Sequence, residues 1–80
     1  MFELYGTTGC EWCDKAKWLL DYHNKSYTYI DVMENVDIQQ AFFNRFPNTN
    51  KVPQIVFDGA DRGYPVHIGG YDELEQWLRG

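Results

Sequence analysis

Strand-like and helix-like segments alternate along this chain with little between them, and that alternation narrows the folds open to it. Residues 2–6 ("FELYG") alternate and end in glycine, which predicts a strand. Residues 11–23 carry Cys13, Ala16, Leu19, Leu20 and His23 at helical spacing, which sets all five on an inner face. Residues 25–32 ("KSYTYIDV") are β-branched and aromatic, a second strand. Residues 34–46 predict a helix with Ile38, Phe42 and Phe46 on one face. A loop at "NTNK" leads to a third strand at 53–58 ("PQIVFD"). A turn at 59–63 ("GADRG") then leads to a short fourth strand at 65–69 ("PVHIG"). Residues 72–79 close the chain as a helix, with Leu74, Trp77 and Leu78 inward. The order β-α-β-α-β-β-α predicts an α/β fold: a parallel βαβ start, an antiparallel hairpin after it, and helices flanking a mixed sheet.

Eighty residues suit a single domain spanning 1–80 with a modest core. Aromatic residues make up 18% of the chain, and each ring covers a large area, so that core can still close. The formal charge is −5 and the seven basic residues are scattered. Phosphate-rich partners need a positive patch, so neither nucleic acid nor an anionic membrane is an expected partner. No apolar run approaches the length of a bilayer span. The first residues lack the basic start and apolar stretch of a secretory signal, so a cytoplasmic location is expected.

The only cysteines are Cys10 and Cys13, three apart in "TTGCEWCDKAKWLLD", where the chain turns helical. Cellular thiols keep such a pair reduced in the cytosol, where structural disulfides are rare and a redox or metal role is commoner. A Cys-x-x-Cys beside a βαβ pattern reads as a redox motif. Cys10 falls at the helix N-terminus, where unpaired N–H groups and the helix dipole stabilise a thiolate. It is the expected nucleophile. Cys13, one turn on, is expected to be more buried and to resolve a mixed disulfide formed on Cys10. A structural zinc site needs about four ligands. The two cysteines and two histidines show no matching spacing, so no metal is expected.

Two more stretches stand out. "KVPQIVFDG" (51–59) opens an apolar strand with Pro53, which cannot donate to a ladder. From the residues alone this is either a plain strand start or a cis-proline that leaves Val52 to pair with an extended peptide; most X-Pro bonds are trans. "HIGGYDEL" (67–74) makes a tight turn into the last helix, with Asp72 as its cap or first-turn acid. Free N–H groups there could also hold a carboxylate.

Taken together, "CEWC", "VPQI" and "IGGYDEL" resemble the glutaredoxins in order and spacing, over essentially the whole chain. The resemblance implies a thioredoxin fold with a four-stranded mixed sheet flanked by three helices. It implies glutathione-dependent reduction of protein disulfides and glutathione-mixed disulfides, with Cys10 as nucleophile and Cys13 as resolving thiol. Trp12 would wall the glutathione site, and Val52, before a cis Pro53, would pair with the cysteinyl backbone. Gly70, Tyr71 and Asp72 would meet the γ-glutamyl end. Lys51 is the candidate for the other carboxylate, ahead of Gln39, Gln40 and Arg45. Glutathione is thus the expected reductant, disulfide-containing proteins (a ribonucleotide reductase among the family's candidates) the expected partners, and a monomer the expected state.

The chain departs from the family pattern in places. Glu11-Trp12 stands where Pro-Tyr is common, and no Lys precedes Cys10 in Thr7-Thr8-Gly9. A negative Glu11 should oppose the helix dipole and leave Cys10 less assisted, hence a more reducing pair. Two alternatives stay open: a redoxin reduced by thioredoxin reductase, against which "IGGYDEL" argues, and a module that bridges an iron–sulfur cluster with glutathione and a second chain.

Overall fold

The computed structural model describes residues 1–59 and 65–80. Its elements are β1 (Phe2–Gly6), α1 (Glu11–Tyr22), β2 (Tyr27–Asp31), α2 (Val36–Arg45), β3 (Gln54–Phe57), β4 (Val66–Gly69) and α3 (Tyr71–Arg79). The order is the one the sequence predicts. The turn expected at 59–63 lies almost wholly outside the described residues.

The strands form one mixed sheet in the order β2-β1-β3-β4. β1 runs parallel to β2 and antiparallel to β3, and β3 and β4 form the antiparallel hairpin. Alternation along β1 sorts the core into two layers. Phe2 and Leu4 face α1 and α3, packing with Ala16, Leu19, Leu20, Ile55 and Leu74. Tyr5 faces the other way and packs with Val32, Phe42, Phe46 and Val56, over which α2 lies. Three of the five residues in the second cluster are aromatic and the other two are valine, so rings supply most of its area.

Cα register slips once, between Ile55 and Val56: Ile55 pairs with Gly69, but Val56 pairs with His67 rather than Ile68. A one-residue slip moves side chains to the opposite face. His67 therefore shares a face with Val56 and Gln54, on the α2 side, while Ile68 joins the α1/α3 layer.

His23 corrects one expectation. Placed by its spacing on the inner face of α1, it is instead the C-terminal cap, half-buried and edge-on to Tyr22. No described helix is long and apolar enough to cross a membrane.

Candidate active site

Cys10 is the N-cap of α1, in extended backbone, and its Sγ accepts the N–H of Cys13 at 3.1 Å. A helix N-cap side chain ordinarily satisfies an orphan N–H in this way. Here the acceptor is a sulfur, set where backbone donors favour negative charge. Gly9 turns the chain into this cap with φ +79°, a left-handed conformation that suits glycine. Cys10 is partly exposed, whereas Cys13 is 0% exposed. The two are joined as a disulfide, Cα atoms 5.2 Å apart.

Behind Cys13 the strand closes in. A Cβ on Gly6 would lie 2.9 Å from Cys13 Sγ and 2.7 Å from the Tyr29 hydroxyl, so only glycine fits at the end of β1. Tyr29 donates to the Thr7 carbonyl at 3.1 Å. Burial pushes its phenol above the ordinary value, against the pull of Lys17, whose ammonium sits 4.4 Å from the ring centroid. The phenol therefore stays protonated and keeps its bond.

Of the residues singled out from the sequence, several converge. Trp12, 51% exposed, meets Tyr71 of α3 with ring centroids 5.4 Å apart. That contact joins the first turns of α1 and α3. The Val52–Pro53 peptide is cis. The Pro53 carbonyl oxygen lies 3.6 Å from where a Gly70 Cβ would stand, so the proline segment and the glycine turn adjoin. Val52 precedes the first β1–β3 ladder pair, Gln54 with Tyr5, so that ladder does not take its backbone. Lys51 is exposed, and among the described residues no carboxylate pairs with its ammonium.

Other expectations change. Arg45 is held by Glu3 at 2.8 Å and by the Tyr5 hydroxyl, which raise its pKa against desolvation. It is committed within the α2 layer. Gln39 donates to Met33 Sδ at 3.4 Å. Asp72 is a first-turn acid, not the cap: Gly70 holds that position, and its N–H donates to Glu73 Oε1 at 2.7 Å. Glu11 is not left unopposed either. Lys15, one turn on, pairs with it at 3.5 Å and lies 4.2 Å from the Trp12 ring centroid. Both partners are largely exposed, so the pair is weak, but it offsets part of the charge beside Cys10.

Sequence reasoning missed Glu73, Lys15, Gly6 and Tyr29. For Glu73 and Lys15 a signal existed: an acid at the third helical position is half of a capping box, and Glu11–Lys15 is an i,i+4 pair. Among the described residues no group of three or more His, Cys, Asp or Glu is placed to hold a metal ion.

A mixed four-stranded sheet with this order, a Cys-x-x-Cys at the start of α1 and a cis-proline before β3 define a thiol–disulfide redox protein of the thioredoxin fold. The glutaredoxin family pattern matches residues 2–61, and the chain belongs to that family. Glutaredoxin 1 of Rickettsia typhi is 36% identical over 72 residues, covering 89% of this chain. The matched region spans 64% of that relative's length, a little under two thirds. Buckwheat glutaredoxin in complex with glutathione superposes with a TM-score of 0.73 at 26% identity, over 98% of this chain and 67% of that one. The solution structure of glutaredoxin from Brucella melitensis gives 0.71 at 29% identity, over 98% and 77%.

Proposed function

We propose that this protein is a glutathione-dependent oxidoreductase that reduces protein disulfides and glutathione-mixed disulfides through Cys10 and Cys13. The observation that carries the reading is the unequal setting of the pair. Cys10 is partly exposed and its Sγ receives a backbone N–H at 3.1 Å, while Cys13 is fully buried. Only Cys10 can meet an incoming disulfide, and a thiolate there is stabilised as it forms or leaves.

With a glutathione-mixed disulfide, the Cys10 thiolate attacks the glutathione sulfur. A Cys10–glutathione disulfide forms and the substrate leaves as its thiolate. A second glutathione thiolate then attacks that bond, releasing glutathione disulfide and restoring Cys10. With a protein disulfide, the Cys10 adduct is resolved by Cys13, which loses its proton and forms the Cys10–Cys13 disulfide seen here. Two glutathiones then reduce that disulfide.

The reading assigns the rest of the site to glutathione. The Val52 backbone, before cis Pro53, pairs with the cysteinyl residue, and Trp12 with Tyr71 walls the tripeptide. The Gly70 N–H is already taken by Glu73, so the γ-glutamyl carboxylate falls to the N–H groups of Tyr71 and Asp72, which precede the first intrahelical bond. The Asp72 carboxylate faces the ammonium, and Lys51 takes the glycyl carboxylate. That the buckwheat relative is a complex with glutathione supports glutathione as the ligand. A monomer working in the cytoplasm, where glutathione is held reduced, completes the proposal. A ribonucleotide reductase is the proposed class of protein substrate.

The test is turnover of the cysteine–glutathione mixed disulfide, coupled to glutathione reductase and NADPH. Wild type and Cys13→Ser should turn over, and Cys10→Ser should not. A wild type that is silent with glutathione but active with thioredoxin reductase would refute glutathione dependence.

A further inference from the structure

Gln54 is the one buried polar residue among those described, 8% exposed, in a strand otherwise made of Ile, Val and Phe. A buried amide needs partners for both ends. Its Nε2 donates to the Lys51 carbonyl at 3.1 Å, closing a loop around the Val52–Pro53 bond. Its Oε1 lies 2.7 Å from His67 Nε2. The Lys51 carbonyl can only accept, which fixes the amide's orientation. Gln54 Oε1 therefore faces the histidine, and His67 Nε2 must carry the hydrogen.

His67 reaches this position because of the register slip that turns it onto the Gln54 face. Phe46 holds the ring there, with centroids 4.6 Å apart. The chain of contacts thus runs from the α2 layer through His67 and Gln54 to the backbone just ahead of Pro53. On the other side the same segment meets Gly70.

We propose that Gln54 and His67 form a brace that positions residues 51–53, the backbone against which a disulfide substrate docks. Neither touches the reacting sulfurs; both are positioning residues. This role rests on the glutathione reading for its kinetic consequence, though the brace itself does not. Because Nε2–H donates in both the neutral ring and the imidazolium, the brace survives protonation of the other ring nitrogen. The groups that bear on the ring are Arg45 of α2, which disfavours that protonation, and Glu73 of α3, which favours it.

The experiment compares wild type, Gln54→Leu, His67→Leu, His67→Gln and the double Leu variant, each checked for folding by near-ultraviolet circular dichroism. Two quantities are read: the backbone order parameter of Val52 by nitrogen-15 relaxation, and KM and kcat for the cysteine–glutathione mixed disulfide. Val52 should move from a rigid value near 0.85 toward about 0.6 in the Leu variants. KM should rise about five- to tenfold, the scale of one lost hydrogen bond, with kcat within about twofold. The double variant should be no worse than either single one, because one network is broken once. His67→Gln supplies an N–H donor of similar reach and should restore both readings. An unmoved Val52 order parameter in folded Leu variants overturns the proposal, as does an unmoved KM where wild type turns over. Should wild type show no glutathione turnover, the glutathione reading falls instead. Val52 then decides the brace alone: loss of order in the Leu variants supports it, and no change overturns it.

Discussion

The first turns of α1 and α3 meet through Trp12 and Tyr71, yet they are capped in opposite ways. At α1 the acceptor is Cys10 Sγ, a group whose charge and bonding change during a redox cycle. At α3 the cap residue is Gly70, which has no side chain, and the permanent carboxylate of Glu73 reaches back to its N–H. A third helix supplies the plain case: Asn35 caps α2, its side chain accepting the Ile38 N–H at 2.9 Å. The contrast teaches where a helix start is spent on structure and where on chemistry. α2 has given its Ile38 N–H an ordinary amide cap. α1 has given its cap to a reactive sulfur. α3 has closed the N–H of its cap residue, and the N–H groups of Tyr71 and Asp72 precede its first intrahelical bond.

The largest effect that would break this comparison is at Cys10. Cys10→Ser should abolish turnover while leaving the thermal midpoint of the reduced protein nearly unchanged, because serine is itself a favoured N-cap. A large drop in midpoint would mean that the sulfur stabilises the helix in its own right. Next comes the seat of α3. Leu74 is fully buried four residues after Gly70, and its N–H donates to the Gly70 carbonyl at 3.0 Å. Leu74→Ala should cost about 2–5 kcal/mol in urea unfolding. Gly6→Ala should cost about 1–3 kcal/mol, since its Cβ meets Cys13 Sγ and the Tyr29 hydroxyl, both held by their neighbours. A neutral result there would show that α1 can shift its first turn. Asn35→Ala should cost about 1 kcal/mol and leave turnover intact, the reverse of Cys10→Ser.

Much of this was legible in the residues because it is local. Apolar spacing placed Phe42 and Phe46 under α2 and Leu74 under α3, and the cysteine spacing put the pair on one helix start. What escaped depends on contacts between distant segments. Gly6 looks like a strand end until Cys13 and Tyr29 are brought against it from α1 and β2. Gln54 looks like a polar interruption in "PQIVF" until the slip between Ile55 and Val56 turns His67 toward it. Hydrophobic period cannot report a one-residue slip in a strand of four. Glu73 was missed for a different reason: glycine carries no capping side chain, so the usual Ser/Thr signature of a capping box is absent.

The smallest effect probes how far the α3 cap reaches. Burial, reinforced by Arg45, holds the His67 imidazole below its ordinary value, while the Glu73 carboxylate pulls it back up. A histidine depressed in the folded state binds fewer protons there than in the unfolded chain. Its contribution to stability is therefore complete above about pH 6.5 and is lost as pH falls from there through the lower, folded value. Glu73→Gln keeps an acceptor oxygen for the Gly70 N–H but removes the charge, so the cap should persist while the histidine midpoint falls further. Arg45→Gln should move that midpoint up. Both shifts are read from the His67 Cε1–H resonance across a pH titration. They should be small, because His67 is an exposed residue and screening is strong there. If Glu73→Gln raised the midpoint, the carboxylate that caps α3 would not be the one acting on β4. The two roles assigned to Glu73, cap and electrostatic partner, would then have to be separated.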